Sequence, residues 1–286
     1  MELKAGDELS GHLTVESTLG VGGMGVVYRV RHPKSSQPWA VKVLNPELLK
    51  ERDFVRRFKH EAKIAARLKH ANVVFVHSLK RWQGTFFYTM ELVDGKSLDA
   101  VARENGEAFT LRRKLVIVRE IAAALGYIHS KKYVHRDVKP ANVLVRADDH
   151  IKVTDFGLAQ KFGRVNLTRS GHVMGSAKYM APELILAQRV TPQTDIYSLG
   201  VTLYELLAGA CPFDASDTEE IMDMHLYNRH KPLVEAVSGT DPNLSRFVDK
   251  MLRKDVSRRV SSAAAAVSWI DFYLQNGWFA DVRTNI

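Results

Sequence analysis

With 286 residues, 45% of them apolar and 26% charged, the chain has the length for one large domain or two lobes with separate cores, and the composition of an ordinary globular protein. The net charge of +9 raises nucleic acid or an acidic membrane as partners. However, the basic residues are dispersed, and their densest groups, Arg52 to Lys69 and Arg112 to Lys114, lie on amphipathic helical patterns whose solvated faces account for them, so no nucleic-acid partner is expected. One cysteine, Cys211, excludes an internal disulfide; no apolar run approaches the ~18 residues of a membrane span, and the start, MELKAGDELSGHL, lacks the apolar core of a signal peptide. A cytoplasmic protein is expected.

Leu13, Val15, Ser17 and Leu19 alternate as in a β-strand, and Val26 to Val30 form a second strand. Between them lies Gly20-Val21-Gly22-Gly23-Met24-Gly25, which fits G-x-G-x-x-G. In dinucleotide-binding folds such glycines open a helix, but VVYRV after them is β-branched and aromatic and reads as a strand. A glycine turn joining two antiparallel strands can lay bare N–H groups over phosphate oxygens; the plain alternative is a flexible hairpin. In Trp39-Ala40-Val41-Lys42-Val43, period two puts Trp39, Val41 and Val43 on one side and Ala40 with Lys42 on the other. A mid-strand lysine beside a small residue leaves room for a ligand and calls for a partner.

The next helix, expected over 53–68, buries a stripe of Phe54, Phe58, Ile64, Ala65 and Leu68, and Glu61 falls on that stripe. A carboxylate there is costly unless paired, and Lys42 is the candidate. His60-Glu61 does not start a zinc motif, because position 64 is Ile rather than His. Residues 86–93 read as a strand ended by Asp94-Gly95, after which strands give way to helices. Leu115, Val118, Ile121, Leu125 and Ile128 mark a core-facing helix over 112–130.

It leads into YVHRDVKPANVLVRADDHIKVTDFG, residues 133–157. Two short β-branched runs, 143–145 and 151–154, flank a polar turn and read as a β-hairpin, which is expected to make Asn142 and Asp155 spatial neighbours. Together with Asp137 and Lys139 they form a set of hard oxygen ligands and one ammonium, suited to Mg²⁺ with phosphate. The competing reading is a polar surface hairpin.

Taken in order, LGVGGMGVV, AVK, Glu61 in the following helix, HRDVKPAN, DFG and APE resemble the signature set of a protein kinase of the eukaryotic-like Ser/Thr type found in bacteria. The resemblance runs from about Leu13 to about Phe272. It implies an α+β, bilobal protein-kinase-like fold: a small, mainly β N-lobe over 1–93 with one key helix, and a larger, mainly α C-lobe over 94–286. It also implies ATP with Mg²⁺, or Mn²⁺ in its place, and transfer of the γ-phosphate to Ser/Thr hydroxyls of protein substrates.

Carried over from that resemblance, Gly20, Gly22 and Gly25 cover the phosphates, and Lys42 holds the α- and β-phosphates while paired with Glu61. Leu19, Val27, Ala40 and Leu144 enclose adenine, Met90 sits behind it, and the backbone of Glu91 and Val93 meets its edge. Asp137 accepts the hydroxyl proton, Lys139 neutralises the γ-phosphate, and Asn142 with Asp155 binds the metal. His135 is structural. Asp195, in the apolar helical run 194–207, braces the catalytic loop, and Arg259 pairs with Glu183; Val256 and Val260 stand where the family has prolines.

The segment from Asp155 to Glu183 has little periodicity, and the family uses it as an activation segment that docks the protein substrate. Phosphorylation of Thr168 or Ser170, read by Arg136, is expected to order it, with self-association for trans-autophosphorylation. Ser176 stands where the family usually has Thr and keeps its hydroxyl; Lys139 in the KPAN stretch favours Ser/Thr over Tyr. A pseudokinase scaffold would lack Lys42, Asp137 or Asp155, and a small-molecule kinase would lack the APE-type segment. This sequence has all of them.

Overall fold

The computed structural model of the chain describes residues 3–35, 37–156, 160–161, 163–164 and 173–276. Backbone contacts divide the chain into two compact units, Met1–Gly95 with Thr154–Leu158, and Lys96–Val153 with Ala159–Ile286.

The first unit is an antiparallel sheet with one long helix. Its strands are β1 (Glu8–Leu9), β2 (Leu13–Gly22), β3 (Gly25–Arg31), β4 (Trp39–Leu44), β5 (Val76–Trp82) and β6 (Thr85–Glu91), and α1 (Arg52–Ala65) lies between β4 and β5 in sequence. The strand order is β1-β2-β3-β4-β6-β5. Alternation sorts the side chains as the pleat requires. On one face Leu13, Val15, Tyr28, Val30, Val41, Val43 and Phe87 bury one another, and Leu3 and Leu9 belong to the same cluster. On the other face α1 buries Phe58, Ala62, Ile64 and Ala65. The helix stops at Ala65, earlier than its apolar stripe suggests; Leu68 is still fully buried, carried inward by the turn that follows. Strand β5 has only Val76 buried among its seven residues, so it shows no apolar alternation in the sequence.

The second unit is mainly helical. In chain order it contains β7 (Gly95–Ser97), α2 (Leu98–Asn105), α3 (Leu111–Ser130), β8 (Tyr133–Val134), β9 (Val143–Arg146), β10 (Ile151–Val153), β11 (Gln160–Lys161), β12 (Gly163–Arg164), α4 (Val173–Ala177), α5 (Pro182–Ile185), β13 (Arg189–Val190), α6 (Pro192–Ala208), α7 (Thr218–Tyr227), α8 (Leu233–Ala236), α9 (Pro242–Met251) and α10 (Ala263–Gln275). The hairpin β9–β10 forms with Val143 opposite Val153 and Val145 opposite Ile151.

Helix α6 is the axis of this unit. A capping box between Thr191 and Thr194, with Pro192 in the first turn, starts it, and Gly209 at φ 76° ends it in the left-handed conformation that glycine adopts without strain. It is buried nearly all round, as its apolar sequence requires. Gly200 lets α9 come close: a Cβ there would lie 2.7 Å from the Met251 Cβ.

Helix α7 is tied to its surroundings by Lys254, which donates to the Met224 and His225 carbonyls, and by one imidazole. His225 is fully buried; its Nδ1 meets the Tyr197 hydroxyl at 2.8 Å and its Nε2 meets the Lys178 carbonyl oxygen at 3.0 Å. A carbonyl can only accept, so Nε2 carries the proton and Nδ1 accepts from Tyr197. Burial drives the pKa of this imidazole down to about 4 from 6.5. The unfolded chain therefore takes up a proton that the folded one refuses, and this contribution to stability is full above pH 6.5 and lost as pH falls toward 4. The loss amounts to about 3 kcal/mol, given ~1.4 kcal/mol for each pKa unit. Urea denaturation between pH 7 and about 4.5 is expected to show a shallower decline for His225→Gln than for the unaltered protein; identical slopes would refute this role.

Candidate active site

Strand register assembles the first half of the site. Val27 on β3 lies opposite Lys42 on β4, and Lys42 lies opposite Tyr88 on β6. Ala40 lies opposite Met90, one pleat along. Directly paired residues share a face, so Val27, Ala40, Lys42, Tyr88 and Met90 all project to the side away from the Val41–Val43 core. The sequence reading identified four of these five; Tyr88 was missed. Counting back two from Met90 along β6 would have found it.

Lys42 Nζ donates to Glu61 Oε1 at 2.9 Å and also to Asp155 Oδ1. Glu61, on the buried stripe of α1, is 2% exposed. Its Oε1 accepts a second bond, from the Tyr88 hydroxyl at 2.6 Å. Among the described residues its Oε2 has no hydrogen-bond partner, and Glu61 helps line a cavity of about 10 Å³ with Ala65, Val74, Val76, Met90 and Phe156. Burial opposes charge on Lys42, but the Asp155 and Glu61 carboxylates outweigh it and hold the ammonium well above the ordinary lysine pKa. Burial raises the Glu61 carboxyl above the usual carboxylate value, and Lys42 and Tyr88 only partly offset it. Asp155 sits at φ 62°, a left-handed backbone that a non-glycine residue adopts only when its surroundings impose it.

The glycine-rich stretch pairs further than expected, with β2 running on to Gly22 and β3 starting at Gly25, and leaves Leu19 and Val21 at the end of β2 49% and 76% exposed. The glycines serve different needs. A Cβ at Gly20 would meet nothing within 4 Å, whereas a Cβ at Gly25 would lie 2.0 Å from the Val43 carbonyl oxygen. Gly22 has ordinary space, with the nearest atom the Gly25 carbonyl oxygen at 3.7 Å. Gly25 is therefore required by the pairing of β3 with β4, whatever else it does. Glu91, at the end of β6, donates its N–H to Phe75 O at 3.0 Å and accepts from Phe75 N–H at 2.8 Å on its carboxylate; Val93 follows, half-buried.

The second unit holds the other residues. Asp137 accepts from Lys139 Nζ at 2.9 and 3.1 Å, and Asn142 Nδ2 donates to its Oδ2 and its backbone oxygen, both at 2.8 Å. The same Lys139 ammonium donates to Ser176 Oγ at 2.7 Å. Leu144 is half-buried on β9. The loop carrying Asp137 is fastened from below by Asp195 of α6. This fully buried carboxylate accepts from His135 N–H at 2.9 Å, from Arg136 N–H at 2.8 Å and from His129 Nε2 at 2.7 Å. Burial would raise the Asp195 carboxyl, but His129, His135 and the Arg136 N–H together keep it below the usual value. Arg136 stands at φ 70° and is held there by this carboxylate. His129 was not recognised as part of the site from sequence; a histidine on a helix carries no signal of its distant partner.

Residues 176–183 are fixed to α6, α7 and the 256–260 turn. Tyr179 donates to Glu205 at 2.6 Å, Ser198 donates to the Tyr179 carbonyl at 2.7 Å, and Arg259 donates to Glu183 at 2.6 and 2.7 Å in a fully buried bidentate pair. Thr168 and Ser170 lie outside the described residues.

Oxygen donors suited to Mg²⁺ are present in both units. Both side-chain bonds of Asn142 are made by its Nδ2, which directs its amide oxygen elsewhere. Asp155 contributes a carboxylate. Mg²⁺ takes one or two protein oxygens and completes its shell with phosphate and water, so this donor chemistry fits it. Among the described residues, no helix is long and apolar enough to cross a membrane.

Residues 13–271 match the family described as protein kinase domain. The chain is 35% identical to the serine/threonine-protein kinase PknJ of Mycobacterium tuberculosis over 268 residues, which are 92% of this chain and 45% of PknJ. It is 33% identical to PknA of the same organism over 267 residues, 92% of this chain and 61% of PknA. The crystal structure of the M. tuberculosis PknI kinase domain superposes with a TM-score of 0.75 at 30% identity, covering 96% of this chain and all of that one. The chain thus spans less than half the length of PknJ and less than two thirds of PknA.

Gly25→Ala is expected to lower the urea midpoint, by about 1–3 kcal/mol of stability as for other overpacked sites, while Gly20→Ala, in open space, leaves it unchanged. Equal effects would refute the packing reason for Gly25.

Proposed function

The chain belongs to the protein kinase domain family, in its bacterial eukaryotic-like Ser/Thr group, and we propose that it transfers the γ-phosphate of ATP to serine or threonine hydroxyls of protein substrates. One observation carries this reading: a carboxylate, Asp137, held by Lys139 and Asn142, with the Ser176 hydroxyl on the same lysine.

Phosphoryl transfer has a loose transition state, so the protein's task is to position groups and offset charge. Asp137 takes the proton of the attacking hydroxyl. Lys139, within bonding distance of that carboxylate, offsets negative charge on the transferred phosphoryl oxygens. Lys42 holds the α- and β-phosphates, with Glu61 fixing its ammonium. Asn142 and Asp155 would hold Mg²⁺, which when bound neutralises phosphate charge. Gly20 and Gly22 leave the end of β2 open to phosphate oxygens. Leu19, Val27, Ala40, Met90 and Leu144 supply apolar surface for adenine, and the backbone of Glu91 and Val93 its polar edge. ATP places the reaction in the cytoplasm.

Regulation by autophosphorylation follows the same logic. Burial pulls the Arg136 guanidinium below its usual pKa against the opposing attraction of Asp195, and a partly desolvated cation gains from a further anionic group. A phosphate on Thr168 or Ser170 supplies one, and self-association lets one copy modify another.

Incubation with γ-labelled ATP and Mg²⁺ tests the activity. Label is expected in the protein itself and in generic protein substrates, and Asp137→Asn should reduce transfer by about a hundredfold or more, the scale of a lost general base. No transfer by the unaltered protein would overturn the reading in favour of a binding scaffold. A Thr168→Ala/Ser170→Ala protein is expected to lose most self-labelling and to be less active. Full activity, with no phosphate found there in the parent protein, would remove the autophosphorylation proposal.

A further inference from the structure

We propose that Tyr88 is a positioning residue for phosphoryl transfer, holding Glu61 and helix α1 so that the Lys42 ammonium is set in place from within the first unit. This rests on the proposed roles of Lys42 and Glu61.

Tyr88 stands at the junction of the sheet and the helix. On β6 it lies directly opposite Lys42. Toward α1 it makes two contacts. Its ring lies 5.1 Å, centroid to centroid, from that of Phe58, and its hydroxyl donates to Glu61 Oε1 at 2.6 Å. Phe58 and Glu61 are three residues apart and share one face of the helix. One side chain therefore grips α1 over a full turn and faces the lysine that the helix must meet.

The bond to Glu61 is consequential because that carboxylate has so few partners. Among the described residues its hydrogen-bond partners are Lys42 and Tyr88, both on Oε1, and Oε2 has none. Tyr88 itself is buried, and burial followed by the Glu61 charge holds the phenol well above its ordinary pKa, so its oxygen keeps the proton and donates. Without the hydroxyl, Glu61 would depend on Lys42 alone, and Lys42 is also shared with Asp155. A phenylalanine would keep the ring against Phe58 but leave Glu61 able to swing with α1.

The test is Tyr88→Phe in the full chain, by two independent readouts. In the nucleotide-free protein, hydrogen exchange of the α1 amides around Phe58–Ala65 should accelerate at least about fivefold, while β2 and β3 keep their rates. In kinetics, kcat/KM for ATP should fall by about tenfold, the scale of one hydrogen bond to a charged group, with KM for the protein substrate unchanged. In a Glu61→Ala background the same substitution should change kcat/KM by less than about twofold, since a residue acting through Glu61 has nothing left to position. Unchanged exchange in α1, kinetics within about twofold of the parent, or an equal loss in both backgrounds would each overturn the proposal, the last by reducing Tyr88 to packing. Absence of phosphoryl transfer by the parent protein would instead remove the kinase reading and, with it, the catalytic purpose of the contact; the exchange readout would still decide whether Tyr88 holds α1.

Discussion

A carboxylate taken almost wholly out of water has to be met by partners, and Glu61 sets this requirement for the whole first unit. Burying it with the apolar stripe of α1 is unfavourable unless partners meet it there. It becomes favourable only when α1 lies where Lys42 and Tyr88 reach Oε1. Sheet register then has no freedom. A one-residue slip of β4 would turn Lys42 into the Val41–Val43 core and leave Glu61 unanswered. Gly25 enforces the same register from the other side, because β3 approaches β4 too closely for any Cβ at that point.

The second unit has its own buried carboxylate with the opposite solution. Asp195 is surrounded by donors, two backbone N–H groups and the His129 ring, and its ionised form is favoured despite full burial. Its bonds fix the conformation of Arg136, whose left-handed backbone is held from helix α6. Helix α6 is itself buried nearly all round, capped at both ends and packed through Gly200 against α9. The orientation of Asp137, one residue after Arg136, is thus tied to a firmly packed element of the unit.

Legibility in the sequence followed the range of the interactions. Lys42 facing away from the core and Glu61 lying on a buried stripe could be read because periods of two and 3.6 are local. The hairpin at 143–153 was readable for the same reason. Strand β5 was not, since its sequence VHSLKRW is exposed or half-exposed after Val76 and gains its shape from pairing with β6. Tyr88 looked like one more aromatic in the apolar run FFYTM; only the register across β4 and the approach of α1 give its hydroxyl a purpose. His129 and His225 are similar cases, with side-chain partners 66 and 28 residues away. The roles of Asp137, Lys139 and Asn142 were carried by resemblance, and what the structure adds is their mutual bonding.

Burial also distinguishes the two partners of Lys42. Glu61 is 2% exposed and the Asp155 side chain 43%. Coulomb attraction is strong where water is excluded and weak where water competes. The bond to Glu61 is therefore shielded from water, and the bond to Asp155, although Asp155 is the closer and more strongly attracting partner, is the one that solvent or an incoming anion can reach. Under the roles proposed above, Lys42 on phosphate and Asp155 on metal, this asymmetry is useful: the inner pair with Glu61 can persist while the outer carboxylate exchanges Lys42 for another ligand.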